Sequence, residues 1–319
     1  MESNVPHFTS RPCGGEVDLG LMIDFARRAL SDRFPLTAYL HPGDVVWRYY
    51  TPKFDPVANI RLWFDGQALA GYAWFEPPLN VDFAVAPRLE GENELVAEML
   101  SWAQERRVAA RNPDDDTLPI AYAGLGEGTI NTLALVSDDA RVAVLTGLGF
   151  AASDQGAVRY RLTLGSPVPE PALAPGMRLR HATDADLVER IELHRDAWSV
   201  WGPSSQDVET YRELRAAPVY DETLDVVLED ADGRLVSYCI CWADPETGVG
   251  TFEPVGVRPG HAGRGYGRAV IFEGLRRLRA KGMHTALVST ATVNTRAMVL
   301  YPSCGFELVD REQFYSKRV

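Results

Sequence analysis

The apolar positions beyond residue 176 fall into short runs separated by polar turns. The runs at 177–180, 224–229, 235–242, 251–257 and 285–289 read as strands. Between the last two, Ile271, Leu275 and Leu278 recur at helical spacing and predict a helix reaching about Lys281, with Gly282 as its C-terminal cap. Thr183 is followed by acidic residues, as at a helix N-terminus, and that helix extends to about Trp198. A second helix covers 207–216. Asp230-Ala-Asp-Gly233 joins two of the strands as a hairpin. Asn294 caps a helix over 294–303, in which Pro302 disfavours helical geometry at Tyr301. Strands at 306–310 and 313–317 finish the chain. This order predicts a mixed α/β fold, α+β-like in its antiparallel hairpins, without even strand–helix alternation.

The first half carries a blurred version of the same order. Strands at 60–64 and 69–75 flank Asp65-Gly66, a second hairpin signal. A strand at 81–85, a helix at 92–107, a strand at 120–122, a helix at 138–147 and a strand at 158–164 follow. Gly149-Phe150 and Gly305-Phe306 lie 156 positions apart, which points to an internal repeat of domain length. Between the halves stands GSPVPEPALAPG at 165–176, whose four prolines exclude a helix or a central strand. The chain therefore divides into a domain at 1–164, a linker at 165–176 and a domain at 177–319.

Composition narrows the function. The 319 residues carry a net charge of −12, against a nucleic-acid partner. Residues 177–319 account for −3 of it and residues 1–176 for −9, so an anionic ligand sits more easily in the second half. Cys13, Cys239, Cys241 and Cys304 form no disulfide framework and have no spaced His partners, so free buried thiols are expected and no metal. The first ten residues, MESNVPHFTS, show neither a basic nor an apolar leader region, and no apolar run reaches membrane-spanning length. A cytoplasmic protein without membrane contact is expected. The aromatic run Trp47-Arg-Tyr-Tyr50 reads as core.

The chemistry concentrates after the strand at 251–257. There Gly263-Arg-Gly-Tyr-Gly267-Arg268 opens a helix. Glycines let backbone N–H groups approach a phosphate, and a helix N-terminus favours negative charge. Arg264 and Arg268 add positive charge. A dinucleotide site requires G-x-G-x-x-G with an acid about 20 positions on, and a P-loop requires Lys-Ser/Thr after its last glycine. Neither pattern is present.

These residues resemble the GNAT superfamily of N-acetyltransferases. The resemblance rests on VGVRPGHAGRGYGR at 255–268 and NTRAMVLYPSCGF at 294–306. It is clear over 177–319 and faint over 1–164, in a tandem arrangement like that of mycothiol synthase-type acetyltransferases. It implies two GNAT-like domains in tandem, each a mostly antiparallel central sheet flanked by helices. It also implies acetyl-CoA as cofactor and acetyl transfer to a primary amine, most simply of a small molecule. Backbone groups of Val255, Gly256 and Val257 would meet the pantetheine arm. Gly263, Arg264, Gly265, Tyr266, Gly267 and Arg268 would hold the pyrophosphate, and Asn294 would bond the pantetheine. Tyr301 would protonate the departing thiolate. Glu253 would be the general base, on one face with Val255 and Val257 by strand alternation. Ala262 departs from the family's Arg or Gln. His194 reads as structural and His261 as a loop-surface residue, while Trp198, Trp201 and Tyr211 fall where the acceptor would be chosen. A non-catalytic acyl-CoA-binding protein is the alternative, and a monomer and a homodimer are both compatible with the sequence.

The corresponding first-half loop, APRLEGENE at 86–94, has one glycine and three glutamates, which repel a pyrophosphate. The positions 156 before Asn294 and Tyr301 are Asp138 and Leu145. The first domain is therefore expected to be degenerate and without cofactor.

Overall fold

The computed structural model describes residues 8–33, 39–50, 55–77, 79–87, 89–109, 128–204 and 206–319. The first-half elements are β1 Thr9–Pro12, α1 Glu16–Arg33, α2 Pro42–Tyr50, α3 Pro56–Asn59, β2 Ile60–Asp65, β3 Ala68–Glu76, β4 Asn80–Val85, α4 Glu92–Ala109, β5 Thr129–Leu135, α5 Asp139–Gly147 and β6 Ala151–Thr163. The rest are β7 Arg178–His181, α6 Leu187–Trp198, α7 Val208–Arg215, β8 Asp225–Glu229, β9 Leu235–Asp244, β10 Val249–Val257, α8 Tyr266–Ala280, β11 Thr285–Ala291, α9 Thr295–Ser303 and β12 Glu307–Arg318. The strand expected at 120–122 lies outside the described residues.

The chain forms two units, and each draws on separate stretches of sequence. Unit 1 holds residues 1–39, 52–157 and 310–319; unit 2 holds 40–51 and 158–309. The proline-rich stretch 165–176 falls inside unit 2, where Val168 packs on the core. Two strands expected at the C-terminus are one strand, β12, because the polar residues around 310–312 stay in register: Glu312 stands opposite Leu135 of β5.

In unit 1 the strand order is β1-β2-β3-β4-β5-β12. Pairing is antiparallel except between β4 and β5. α4 covers one face, burying Leu95, Val96, Met99 and Leu100 with Phe75 and Phe83. In unit 2 the order is β6-β11-β10-β9-β8-β7, with β10–β11 parallel and β7 to β10 antiparallel. α8 lies on one face through Val270, Ile271, Leu275 and Leu278, the predicted stripe. Gly274 lets it approach: a Cβ there would stand 2.6 Å from Cys241 Sγ and from the Phe252 ring. All four cysteines are free and buried. On the opposite face, Leu193 and Ala197 of α6 meet Val227, Leu235 and Tyr238.

The internal repeat appears as a shared backbone device. Asp138 and Asn294 each cap a helix by accepting the N–H of the residue three on, Arg141 and Ala297. Each helix then ends at a positive-φ glycine, Gly149 or Gly305. The following Phe150 or Phe306 N–H returns to the Leu145 or Tyr301 carbonyl. Every one of these pairs is 156 positions apart.

Unit 2 also buries a charge network that sequence periodicity does not reveal. Arg190 on α6 stands 3.3 Å from Asp225, with their side chains 1% and 0% exposed. The guanidinium lies 3.5 Å over the Tyr238 ring. The Tyr211 and Tyr220 hydroxyls both donate to Asp225. Removing one member strands a desolvated charge, which typically costs about 3–5 kcal/mol. Asp225→Asn is therefore expected to lower the unfolding free energy by about that amount in urea titrations, while a surface control, Glu209→Gln, shifts it by less than about 0.5 kcal/mol.

Candidate active site

The site begins where two parallel strands part. β10 and β11 pair only over 249–251 and 285–287, after which β10 is laddered to β9 alone among the described residues. The Arg258 N–H donates to the Val236 carbonyl of β9 at 3.0 Å. Alternation along an antiparallel strand then turns the backbone groups of Val255 and Val257 away from β9, into the gap beside β11. Unladdered N–H and C=O groups at an internal edge call for a partner, and an extended chain supplies one.

The glycine turn stands at the open end of this gap. Gly263 and Gly265 have φ of 78° and 82°, a region that a side chain rarely adopts, and no atom lies within 4 Å of a Cβ built on either. Gly265 is the N-cap of α8 with no side-chain capping bond, so the first N–H groups of the helix face outward. Ala262, Gly263, Arg264, Gly265 and Arg268 are exposed, whereas Gly267 is buried, 3.1 Å by its virtual Cβ from Leu300. Arg258 anchors the approach to the turn. Its buried guanidinium bonds Asp196, Glu189 at 2.8 Å and the Leu235 carbonyl at 2.8 Å.

Glu253 departs from the expected alternation. β10 bulges between Phe252 and Val255, where three steps oppose two on β9. Phe252 and Val255 consequently both pack on the α8 side, while Gly256 faces Tyr238 and Ala197 on the other. Glu253 sits within the bulge, so strict alternation does not put it on one face with Val255 and Val257. Its charged neighbours are Asp44 and Arg48 of α2. Burial, with the Asp44 carboxylate and against the Arg48 guanidinium, pushes the Glu253 carboxyl up to about 8. The role of α2 was invisible in the sequence because residues 42–50 sit in the first half of the chain.

Tyr301 lies on α9 with its ring in the unit 2 core, against Tyr160 and Phe306. Burial and the nearby Glu253 hold its hydroxyl well above the usual phenol range. α9 continues through Pro302 to Ser303, so the proline does not break the helix at Tyr301. Asn294 is the N-cap: its side-chain oxygen accepts from Ala297 N–H at 3.2 Å, leaving the amide N–H groups as the part able to meet a ligand.

His194 is committed to the interior of unit 2. His194 Nδ1 is 2.6 Å from the Tyr238 hydroxyl, and its ring stacks on Trp198. Burial, with Arg190 and Arg195, drives its pKa down to about 3, so the ring stays neutral. Tyr211, an expected acceptor-side residue, is 1% exposed and committed to Asp225. The aromatic run on α2 is core at Trp47 and Tyr49.

Unit 1 has the same parting of strands with a different filling. β4 pairs with β5 at Asn80 opposite Asn131. Arg141 Nη1 donates to the Phe83 carbonyl at 3.2 Å. Its guanidinium lies 3.6 Å over the Phe83 ring and 4.0 Å over the Tyr39 ring. The Tyr39 hydroxyl accepts the Leu135 N–H at 3.1 Å. Position 141 corresponds to Ala297 in the repeat. Among the described residues no group of three or more His, Cys, Asp or Glu could hold a metal, and no helix is long and apolar enough to cross a membrane.

Residues 188–306 match the acetyltransferase (GNAT) family. Similar curated proteins named mycothiol acetyltransferase come from Thermobispora bispora and Streptomyces avermitilis. The first is 28% identical over 259 residues, 78% of this chain and 80% of that protein. The second is 27% identical over 307 residues, 85% and 97% of the two. A third, from Saccharomonospora viridis, is 29% identical over 158 residues, and this chain spans about half of its length (52%). Among solved structures, a GCN5-related N-acetyltransferase from Sphaerobacter thermophilus superposes with a TM-score of 0.65 at 18% identity, covering 97% of this chain and 95% of that one. A tandem GNAT protein from the clavulanic acid pathway gives 0.65 at 16% identity, covering 98% of each. The fold is thus two GNAT-like domains in tandem. Residues 188–306 thus match the GNAT acetyltransferase family, and the chain as a whole is similar to the mycothiol acetyltransferases.

The turn offers a direct check. Gly265→Glu places a β-carbon at φ 82° and an acid at the helix N-terminus. Calorimetric affinity for acetyl-CoA is expected to fall at least about tenfold, the effect of one lost or opposed charge-assisted contact.

Proposed function

We propose that the chain is an N-acetyltransferase with one working site, in 177–319, that acetylates a primary amine of a small molecule. The observation that carries this reading is the combination of three features: the open edge of Val255 and Val257, the glycine turn, and a half-buried carboxyl at Glu253 whose pKa is raised to about 8. Gly263, Arg264, Gly265, Tyr266, Gly267 and Arg268 hold the pyrophosphate through backbone N–H groups and positive charge. Backbone groups of Val255, Gly256 and Val257, with the Asn294 amide, hold the pantetheine. When bound, acetyl-CoA presents its thioester to the acceptor. Glu253 takes the proton of the attacking amine, directly or through water. A β10 N–H near Val255 steadies the charge that develops on the thioester oxygen. Tyr301 stays protonated, by its raised pKa, until it donates to the departing sulfur. The names of the relatives make a mycothiol-type amine the first acceptor to test.

Residues 1–164 read as a degenerate domain without cofactor. The filled gap at Phe83, Arg141 and Tyr39 and the acidic first turn of α4 support this. Titration of the full chain with acetyl-CoA is expected to give one site; two sites would overturn the reading.

A base of pKa about 8 must be ionised to work, so kcat rises with pH and levels off above about 8. Glu253→Gln is expected to lower kcat roughly 10²-fold and abolish that limb, and Tyr301→Phe to lower it by a similar factor, each with acetyl-CoA affinity within about twofold. If both variants turn over like the wild type in an amine screen, the chain binds acetyl-CoA without these residues catalysing.

A further inference from the structure

We infer that Trp242 is a positioning residue for the reaction, and that α2 is the brace that holds it there. The inference rests on the reading of Glu253 as the base and adds what fixes Glu253 in place. A bulge leaves backbone groups out of the ladder, so each needs another partner. The Glu253 carbonyl finds one in the Trp242 indole N–H, at 2.7 Å. Trp242 itself is 1% exposed, so its ring cannot swing away without vacating a packed site.

α2 seals that ring from behind. A Cβ on Gly43 would stand 2.2 Å from both Cβ and Cγ of Trp242, so only a glycine lets the helix lie this close. His41 ties the same turn to the strand carrying the bulge. Its Nδ1 accepts the Gly43 N–H at 3.0 Å, which requires the proton on Nε2, and Nε2 donates to the Val249 carbonyl at 3.1 Å. Asp44 caps the turn by accepting the His41 N–H at 2.8 Å. The result is a closed chain of contacts from β10 through His41, Gly43 and Trp242 back to the Glu253 backbone. Asp44 and Arg48 on that helix are also the charges that bear on the Glu253 carboxyl. The N-terminal half of the sequence thus supplies part of the base's support.

Trp242→Phe keeps an aromatic ring at the position, smaller than the indole, and deletes the N–H. In the full chain, assayed with acetyl-CoA and the best acceptor from a panel of primary amines, kcat is expected to fall about tenfold, the scale of a misdirected catalytic group. The lower-pH limb of the kcat profile should move by at least half a unit, because the carboxyl is no longer held beside Asp44 and Arg48. The acetyl-CoA dissociation constant should stay within about twofold. Gly43→Ala, which displaces the ring instead of the N–H, should move the pH limb the same way. An unchanged kcat and pH limb in Trp242→Phe would overturn the inference. So would equal losses of kcat and acetyl-CoA affinity, which mark general damage. If Glu253→Gln alone leaves turnover and the limb intact, the base assignment fails instead, and the two failures are told apart.

Discussion

Two parallel strands in unit 2 stay together for three residues and then separate, and the site follows from that separation. A parallel ladder leaves no spare backbone groups; once β10 leaves β11, the N–H and C=O groups of Val255 and Val257 face a gap. The bulge at Glu253 has the same origin, since a strand released on one side can take an extra residue against β9 without breaking two ladders. The parting also points β10 at the glycine turn and sets α8 with its N-terminus at the end of the gap. The open edge, the position of the glycine turn and the displaced Glu253 are therefore consequences of one change in pairing.

The electrostatics divide between holding and acting. On the α6 face, Arg190, Asp225, Tyr211 and Tyr220 satisfy one another, and neutral His194 closes on Tyr238. Arg190, Asp225, Tyr211 and His194 are buried and bonded within the network, which suits them to fixing α6 and α7 on the sheet. Glu253 is different. Its carboxyl is half-buried beside Asp44 and Arg48 of one neighbouring helix, and desolvation raises its pKa to about 8. A group held there can exchange a proton during a reaction.

The repeat shows how one device serves two ends. Asp138 and Asn294 cap equivalent helices, and the Gly-Phe turns close them alike. What differs is one side chain in the first turn. Position 297 is a small buried alanine, whereas at 141 an arginine bonds the Phe83 carbonyl and lies over two rings. A long cation spends on its own unit the backbone acceptor that an inserted chain would use.

Local chemistry was legible in the sequence. The αL glycines of the turn, the Asn294 cap, the stripe on α8 and the Asp230-to-Gly233 hairpin depend on neighbours a few residues away, and each lies where the sequence places it. α1 carries the same kind of signal, with Leu19, Met22, Ala26 and Leu30 at helical spacing and buried. Pairing over long distances was not legible. No local pattern marks the bulge that turns Glu253 out of alternation, the continuity of β12 across its polar centre, or the burial of Tyr211. The insertion of α2 into unit 2 rests on a missing Cβ at Gly43 meeting an indole about 200 residues away. The sequence by itself determined which segments form and what chemistry they carry. The tertiary structure decided which backbone groups are left open and which charges face Glu253, because both depend on partners that only folding brings together.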